Sequence, residues 1–233
     1  MSRSKQLYKL QELDSEIDQA LKRIREIEDI MADDAELQQA FQHEQQKAEI
    51  VSSKETALRQ AEARVEDQKF KIEKNKAKLY GGKVTNPKEL EDLQMESESL
   101  HDYLAVLEER QLEAMLALDE AESEHQSAVE TYQKIKAARE EMIQELQQEK
   151  KELESRIQVL RDKRPTLSAD IRKEDLQLYQ RLREKMGGVA VAVMADTSCS
   201  ACGSHIPSAL AQKAKSPSSI AQCNTCNRIL HPR

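Results

Sequence analysis

Apolar residues at Leu10, Leu13, Ile17, Ala20, Ile24, Ile27 and Met31 alternate spacings of three and four, which keeps one side of a helix turned toward a partner helix along a coiled-coil seam. The register slips near MADDAEL, where Asp33 and Glu36 have the spacing of a capping box that restarts a helix, so a kink or stutter is expected there. Beyond it Val51, Leu58, Val65, Ile72 and Leu79 recur every seven residues, but their companion stripe is largely polar. The later part of this first arm is therefore expected to be its weaker part.

In YGGKVTNPKEL, Tyr80-Gly81-Gly82 supplies residues that tolerate a left-handed helix end, and Asn86-Pro87-Lys88-Glu89 supplies an N-cap, a proline at the first helical position and a capping-box Glu. The next helix carries one seam through Leu90, Leu93, Leu100, Leu104, Leu107, Ala114, Leu118, Ala121, Ala128, Tyr132, Ile135, Met142, Leu146, Leu153 and Leu160. Ser97, Gln111, His125 and Arg139 occupy polar seam positions at regular intervals, a device that fixes register at some cost in stability. His125 is read as one of these register residues in preference to a pH-sensitive group.

The arms 3–79 and 88–163 are nearly equal, and a short loop favours antiparallel neighbours. Arg164-Pro165 ends the return arm in this reading, because proline disfavours helix in the residue before it. Ser168 then caps ADIRKEDLQLYQRLREKM, with Ile171, Leu178 and Leu182 on one side and Tyr179 near the edge, and Gly187-Gly188 closes that helix. VAVAVM and RILH have the brevity and β-branched content of strands. The expected fold is mostly α: a long antiparallel coiled-coil hairpin over 1–165 with its tip near 80–87, a connecting helix over 166–188, and a small C-terminal zinc ribbon with short β-strands over 189–233.

Composition agrees with long exposed helices. Charged residues make up 34% and aromatics 3%, whereas a globular domain carries about 25% charge. The strict apolar period argues against disorder. No run approaches the roughly 18 apolar residues of a membrane span, and MSRSKQLYKL lacks a signal peptide's apolar stretch, so a cytoplasmic protein without membrane association is expected.

All four cysteines fall in C-x2-C-x20-C-x2-C, at Cys199, Cys202, Cys223 and Cys226. Each CxxC brings two sulfurs to one ion, and the intervening residues return the second pair to complete a tetrahedron. Four thiolates leave no coordination place for a substrate water, so one structural zinc ion would organise this segment rather than catalyse. An iron-sulfur centre is the alternative occupant. Thioredoxin-like chemistry would need one CxxC at a strand-to-helix junction, which is absent, and His205 and His231 read as surface residues rather than substitute ligands. A segment this short holds few large apolar side chains, so metal should supply much of its folding free energy.

YGGKVTNPKEL, LYQRLREKMGGVAVAVM, CSACGSHIP and CNTCNRIL, in this order, resemble the bacterial family of coiled-coil proteins with a C-terminal four-cysteine zinc ribbon, including its chlamydial member and its flagellar regulator. The resemblance implies a non-enzymatic protein, zinc ligation by Cys199, Cys202, Cys223 and Cys226, and, through the flagellar regulator, engagement of the enhancer-dependent sigma factor, sigma-54, and of messenger RNA. Asn224 and Asn227 depart from the family's usual Pro and Gly, and His231 stands where an aromatic is common.

Between residues 69 and 88, lysines 69, 71, 74, 76, 78, 83 and 88 face one acid, Glu73, on a chain of net charge −7. The patch suits phosphate or an acidic protein surface, although the antiparallel fold should pair these lysines with Glu89, Glu91, Asp92, Glu96 and Glu98. Lys83 and Val84, in the loop, escape that pairing and are the candidate partner contacts. The tail from Gly187, with Lys213, Lys215, Arg228 and Arg233 against Asp196, is only +3. The leading reading is an adaptor or regulator in transcription or secretion and flagellar-type machinery. RNA or DNA binding through ribbon and tip is the second reading, weakened by the acidic total and by the lack of stacking aromatics in the ribbon. No phosphate loop, nucleophile motif or open metal site supports an enzyme. A coiled-coil hairpin and an oligomer can share one seam, so an oligomer is compatible with the pattern.

Overall fold

The structure, a computed structural model, describes residues 2–82, 84–195 and 197–232. Its elements are α1 (Arg3–Ala32), α2 (Ala35–Tyr80), α3 (Pro87–Ala169), α4 (Lys173–Lys185), β1 (Val191–Ala195), β2 (Ser198–Cys199), α5 (Ser208–Lys215) and β3 (Ile229–Pro232). Two compact units result, one of Met1–Asp33 with Met142–Arg233 and one of Asp34–Glu141. A mostly helical fold with a coiled-coil-like hairpin and short C-terminal strands is what the heptads and the VAVAVM and RILH segments predict.

In the unit of residues 34–141, α2 and α3 run antiparallel, and residue numbers rise on one helix as they fall on the other. Arg139 donates to Asp34 Oδ1 (3.2 Å), His125 Nε2 meets Glu44 Oε1 (3.1 Å), Lys47 Nζ meets Glu124 (2.6 Å), and Lys69 Nζ meets Glu108 (3.0 Å). Val65 and Ile72 are buried, and so are the polar companions Gln68 and Asn75. Gln68 donates to the Leu100 carbonyl (2.9 Å), and Asn75 to Glu96 (2.9 Å). The polar stripe thus remains a seam, because each amide nitrogen finds an acceptor across it, while among the described residues the Asn75 Oδ1 stays buried without a partner, at the cost of an unpaired group. The slip near MADDAEL is a break between α1 and α2, but the helix restarts after Asp34 rather than Asp33, without a side-chain cap bond. At the tip, the Asn86 side chain accepts from the Lys88 amide (3.1 Å), and Gly82 sits at φ 69°. Gly81 has no room for a side chain, since a Cβ would collide with the Ala77 carbonyl.

Lys47 and Arg23 hold the carboxyls of Glu124 and Glu149 below the ordinary value of 4.5, chiefly through the side-chain hydrogen bonds they donate. A lowered folded-state pKa means that each ionised carboxylate stabilises the fold above that ordinary value, and the contribution is lost as pH falls through the lowered one. Helix melting followed by circular dichroism should therefore shift to lower temperature between about pH 6 and about pH 3. An unchanged midpoint would show that these exposed pairs are thermally silent.

In the other unit, Leu13, Ile17, Ala20 and Ile24 of α1 pack on Ile157 of α3, with Leu153 and Leu160 beside them. Ile157, absent from the expected seam, is buried there, whereas Met142 is exposed. The return helix does not stop at Pro165: α3 continues to Ala169, with Ser168 inside it donating to the Pro165 carbonyl (3.0 Å), and α4 begins only at Lys173. Leu167 in the added turn packs against two apolar clusters, a gain that offsets the helix bond proline forgoes. Tyr179 is the fully buried centre of α4 rather than its edge.

Asp14 ties these helices together. Arg164 grips it with two hydrogen bonds (2.7 and 3.1 Å), the Tyr179 hydroxyl donates to Oδ2 (2.9 Å), and Arg183 donates to its backbone carbonyl (3.1 Å). Burial, followed by the Asp14 charge, pushes the Tyr179 phenol far above its ordinary pKa, so it stays a donor.

Candidate metal centre

The C-terminal sheet has the order β2-β1-β3, with β1 antiparallel to β2 (Met194 opposite Cys199) and parallel to β3 (Val191 opposite Ile229). A parallel pair needs a long crossover, and residues 196–228 provide it while carrying β2, both cysteine pairs and α5. The first two residues of β1 and of β3 are buried, one on each face. Val191 and Ile229 join Leu7, Leu10, Tyr179 and Leu182, whereas Ala192 and Leu230 join Cys199, Cys223 and Ile206.

The two CxxC segments share one backbone design. The Cys199 amide donates to the Ser204 carbonyl (3.0 Å) and the Cys223 amide to the Arg228 carbonyl (2.8 Å); in return the Gly203 amide donates to Cys199 (2.8 Å) and the Asn227 amide to Cys223 (2.9 Å). The residue after each second cysteine is left-handed, Gly203 at φ 73° and Asn227 at φ 59°. Asn is among the few side-chain-bearing residues that enter this region readily, so the departure from Gly at position 227 keeps the turn. Asn227→Gly should leave metal affinity nearly unchanged, while Asn227→Val, which costs about 1–2 kcal/mol of backbone strain, should weaken it about tenfold in a chelator competition. Equal affinities for both variants would show that the left-handed turn does not hold the ligands.

These turns gather all four thiols. Their sulfurs lie within 4.8 Å of one another, with no His, Asp or Glu joining them among the described residues. Cys199 Sγ stands 3.8 Å from Cys226 Sγ, and Cys202 Sγ 3.7 Å from Cys223 Sγ. A tetrahedron with metal–sulfur bonds of about 2.3 Å has edges of about 3.8 Å, and disulfide sulfurs would be only about 2.05 Å apart. Burial pushes the Cys199 thiol up to about 12, while the Ser204 side chain and backbone hydrogen bonds hold Cys202 down to about 6. Four thiolates this close repel one another strongly unless a cation sits among them, so the donor set fits a metal ion.

The ribbon is fastened to the helices through polar contacts that the sequence did not announce. Gln11 donates to the Val191 carbonyl (2.8 Å) and accepts its amide (2.6 Å), imitating a strand neighbour at the start of β1. Arg3 grips Asp175 (2.7 and 2.5 Å) and reaches the Ser218 carbonyl (2.7 Å). His205 is exposed, whereas His231 is half-buried, stacked on Tyr8 at 4.9 Å and 3.3 Å from the Ser4 hydroxyl. An imidazole therefore fills the aromatic position. Amphipathic spacing gives no sign of the Gln11, Arg3 and Asp14 contacts, because their partners lie more than a hundred residues away.

Of the tip candidates, Lys83 lies outside the described residues and Val84 is half-buried rather than exposed. The expected pairing of the tip lysines with Glu89, Glu91, Asp92, Glu96 and Glu98 is replaced by other partners. Lys69 meets Glu108 across the hairpin, while Lys71 and Lys76 meet Asp67 and Glu73 on their own helix, where helical spacing already brings the charges together. Among the described residues Lys74, Lys78 and Lys88 form no ion pair, and no helix is long and apolar enough to cross a membrane.

Three solved structures share this fold across nearly the whole chain. CT398 from Chlamydia trachomatis matches with a TM-score of 0.73 at 17% identity, covering 99% of this chain and 98% of that one. A Mycobacterium smegmatis protein matches at 0.66 and 20%, covering both chains completely, and HP0958 from Helicobacter pylori at 0.51 and 16%, covering 99% and 97%. Identities this low speak for the fold alone. No curated protein matches. The sequence itself satisfies the description of the CT398-like coiled coil hairpin domain over residues 10–187, and since that span takes in most of the chain, the protein belongs to the CT398-like coiled-coil hairpin family.

Proposed function

We propose that the chain is a non-enzymatic adaptor of the cytoplasm, a coiled-coil hairpin that offers its helix faces and a zinc ribbon to protein partners. The carrying observation is the thiol cluster, whose 3.8 and 3.7 Å edges suit one tetrahedral ion on Cys199, Cys202, Cys223 and Cys226. Zinc is the assignment, since four thiolates favour it and its filled d shell imposes no geometry of its own. Bound zinc would cross-link the two cysteine turns and, with every position filled by protein, leave none for a reacting water.

The resemblance to the flagellar regulator makes sigma-54 the first partner to test. Purified chain immobilised on a sensor should bind purified sigma-54, and the signal should fall when the tip carries Lys74→Glu and Lys78→Glu or when the ribbon carries Cys223→Ser. Absence of binding to the intact chain would remove sigma-54 as a partner. Lys74, Lys78 and Lys88, which form no ion pair among the described residues, support a second reading, direct RNA or DNA binding through phosphates. A gel shift at low salt decides it, and no retardation discards it.

A further inference from the structure

Seam residues of α3 face α2, yet its outer surface is not uniformly polar. Leu112, Met115 and Leu116 are 56%, 45% and 61% exposed. Three- and four-residue spacings place them side by side on the helix surface, while Gln111, Ala114 and Leu118 turn inward. Glu109, Glu113, Asp119 and Glu120 lie within one turn of this trio, and among the described residues none of the four forms an ion pair. From residue 111 to 133 the helix has no Lys or Arg, while Glu113, Asp119, Glu120, Glu122, Glu124 and Glu130 accumulate; among the described residues Glu124 alone of these forms an ion pair, with Lys47.

We propose that this outer face of α3, centred on Leu112, Met115 and Leu116, docks a lysine- or arginine-rich amphipathic helix of a protein partner. Large apolar side chains left half in water favour burial against a partner. The unpaired carboxylates around them select the partner's charge, accelerating its approach and rejecting acidic helices. A helix carrying leucines at three- and four-residue spacings with basic flanks satisfies both requirements at once. The chain's own lysine-rich segment, residues 69–78, does not meet that description, because Ile72 on its apolar side is buried in the hairpin.

The inference deepens the adaptor reading and rests on it only in supposing that the hairpin meets proteins. The test uses the full metal-loaded chain and two fluorescein-labelled peptides of leucine and lysine, one patterned as an amphipathic helix and one with the same residues scrambled. Anisotropy should show the patterned peptide binding at least about tenfold tighter than the scrambled one. Leu112→Ser with Leu116→Ser, and separately Glu113→Lys with Glu120→Lys, should each remove about tenfold or more of that affinity while circular dichroism stays unchanged. Equal binding of both peptides, indifference to either pair of substitutions, or sedimentation showing self-association that the leucine changes abolish would overturn the proposal. Failure here alongside intact binding of sigma-54 would leave the adaptor reading standing.

Discussion

Stripping the metal with a chelator, or replacing Cys223 by Ser, should dissolve the order of β1, β2 and β3 while α1, α2 and α3 keep their ellipticity. The buried cluster behind the cysteines contains Met194, Ile206 and Leu230, with Leu210 half-buried at its margin, and is otherwise alanine and cysteine. At about 25 cal/mol per Å2 of apolar surface, such a core cannot offset the ordering of some forty residues. Structural zinc sites supply on the order of 10 kcal/mol in comparably small segments. The loss should extend one layer further, because Val191 and Ile229 are shared with Leu7, Leu10, Tyr179 and Leu182. Amide exchange is therefore expected to accelerate in β1 and β3 by orders of magnitude, and to a smaller degree near Leu7, Leu10 and Tyr179. Elemental analysis should give about one zinc per intact chain and almost none for Cys223→Ser. Wholesale loss of helix, or unaltered protection of β1, would contradict the shared-core account.

Wherever structure follows from neighbours in sequence, the chain was legible. The first seam, the Asn86 cap, the strands β1 and β3 and the clustering of the four cysteines all rest on spacings of seven residues or fewer within each motif. Errors arise where distant residues decide the outcome. Pro165 looks terminal until Leu167 finds two clusters to fill. The stripe of Gln68 and Asn75 does mark the weaker seam, since Val65 and Ile72 are the apolar residues of α2 buried beside it, but spacing gives no sign that the two amides find acceptors on α3. The lysines near the tip show the opposite error, because the expected pairing looks across the loop while ordinary helical spacing gives Lys71 and Lys76 nearer partners at Asp67 and Glu73 on their own helix. β2 and α5 were missed because a two-residue strand and an eight-residue helix carry too little periodicity to register. The parallel pairing of β1 with β3 has no local signature either, being set by how far the two cysteine turns carry the chain before it returns.

Asp14→Asn should destabilise the unit containing α1 and α4 by about 2–3 kcal/mol, even though it removes no volume. The carboxylate, only 4% exposed, is held by Arg164 and approached by Arg183, whose own side chains remain 32% and 27% exposed. Complete burial of both guanidiniums would raise the expected loss; partial access to water limits it. An asparagine can accept from one guanidinium and from Tyr179, but it carries no charge to balance two cations, and its amide hydrogens face donors. Tyr179→Phe leaves the ion pairs in place and deletes one hydrogen bond, so it should cost only about 1 kcal/mol. Amide exchange in α1 and α4 is the proper measure, since two compact units need not unfold as one. If the Asn variant costs no more than the Phe variant, Asp14 acts as a neutral acceptor rather than as a charged hub. The metal content should stay at one ion in both variants, because Asp14 touches the helices and not the cysteine turns. That separation distinguishes weakening of the helical base from loss of the metal centre, two effects that melting curves alone would merge.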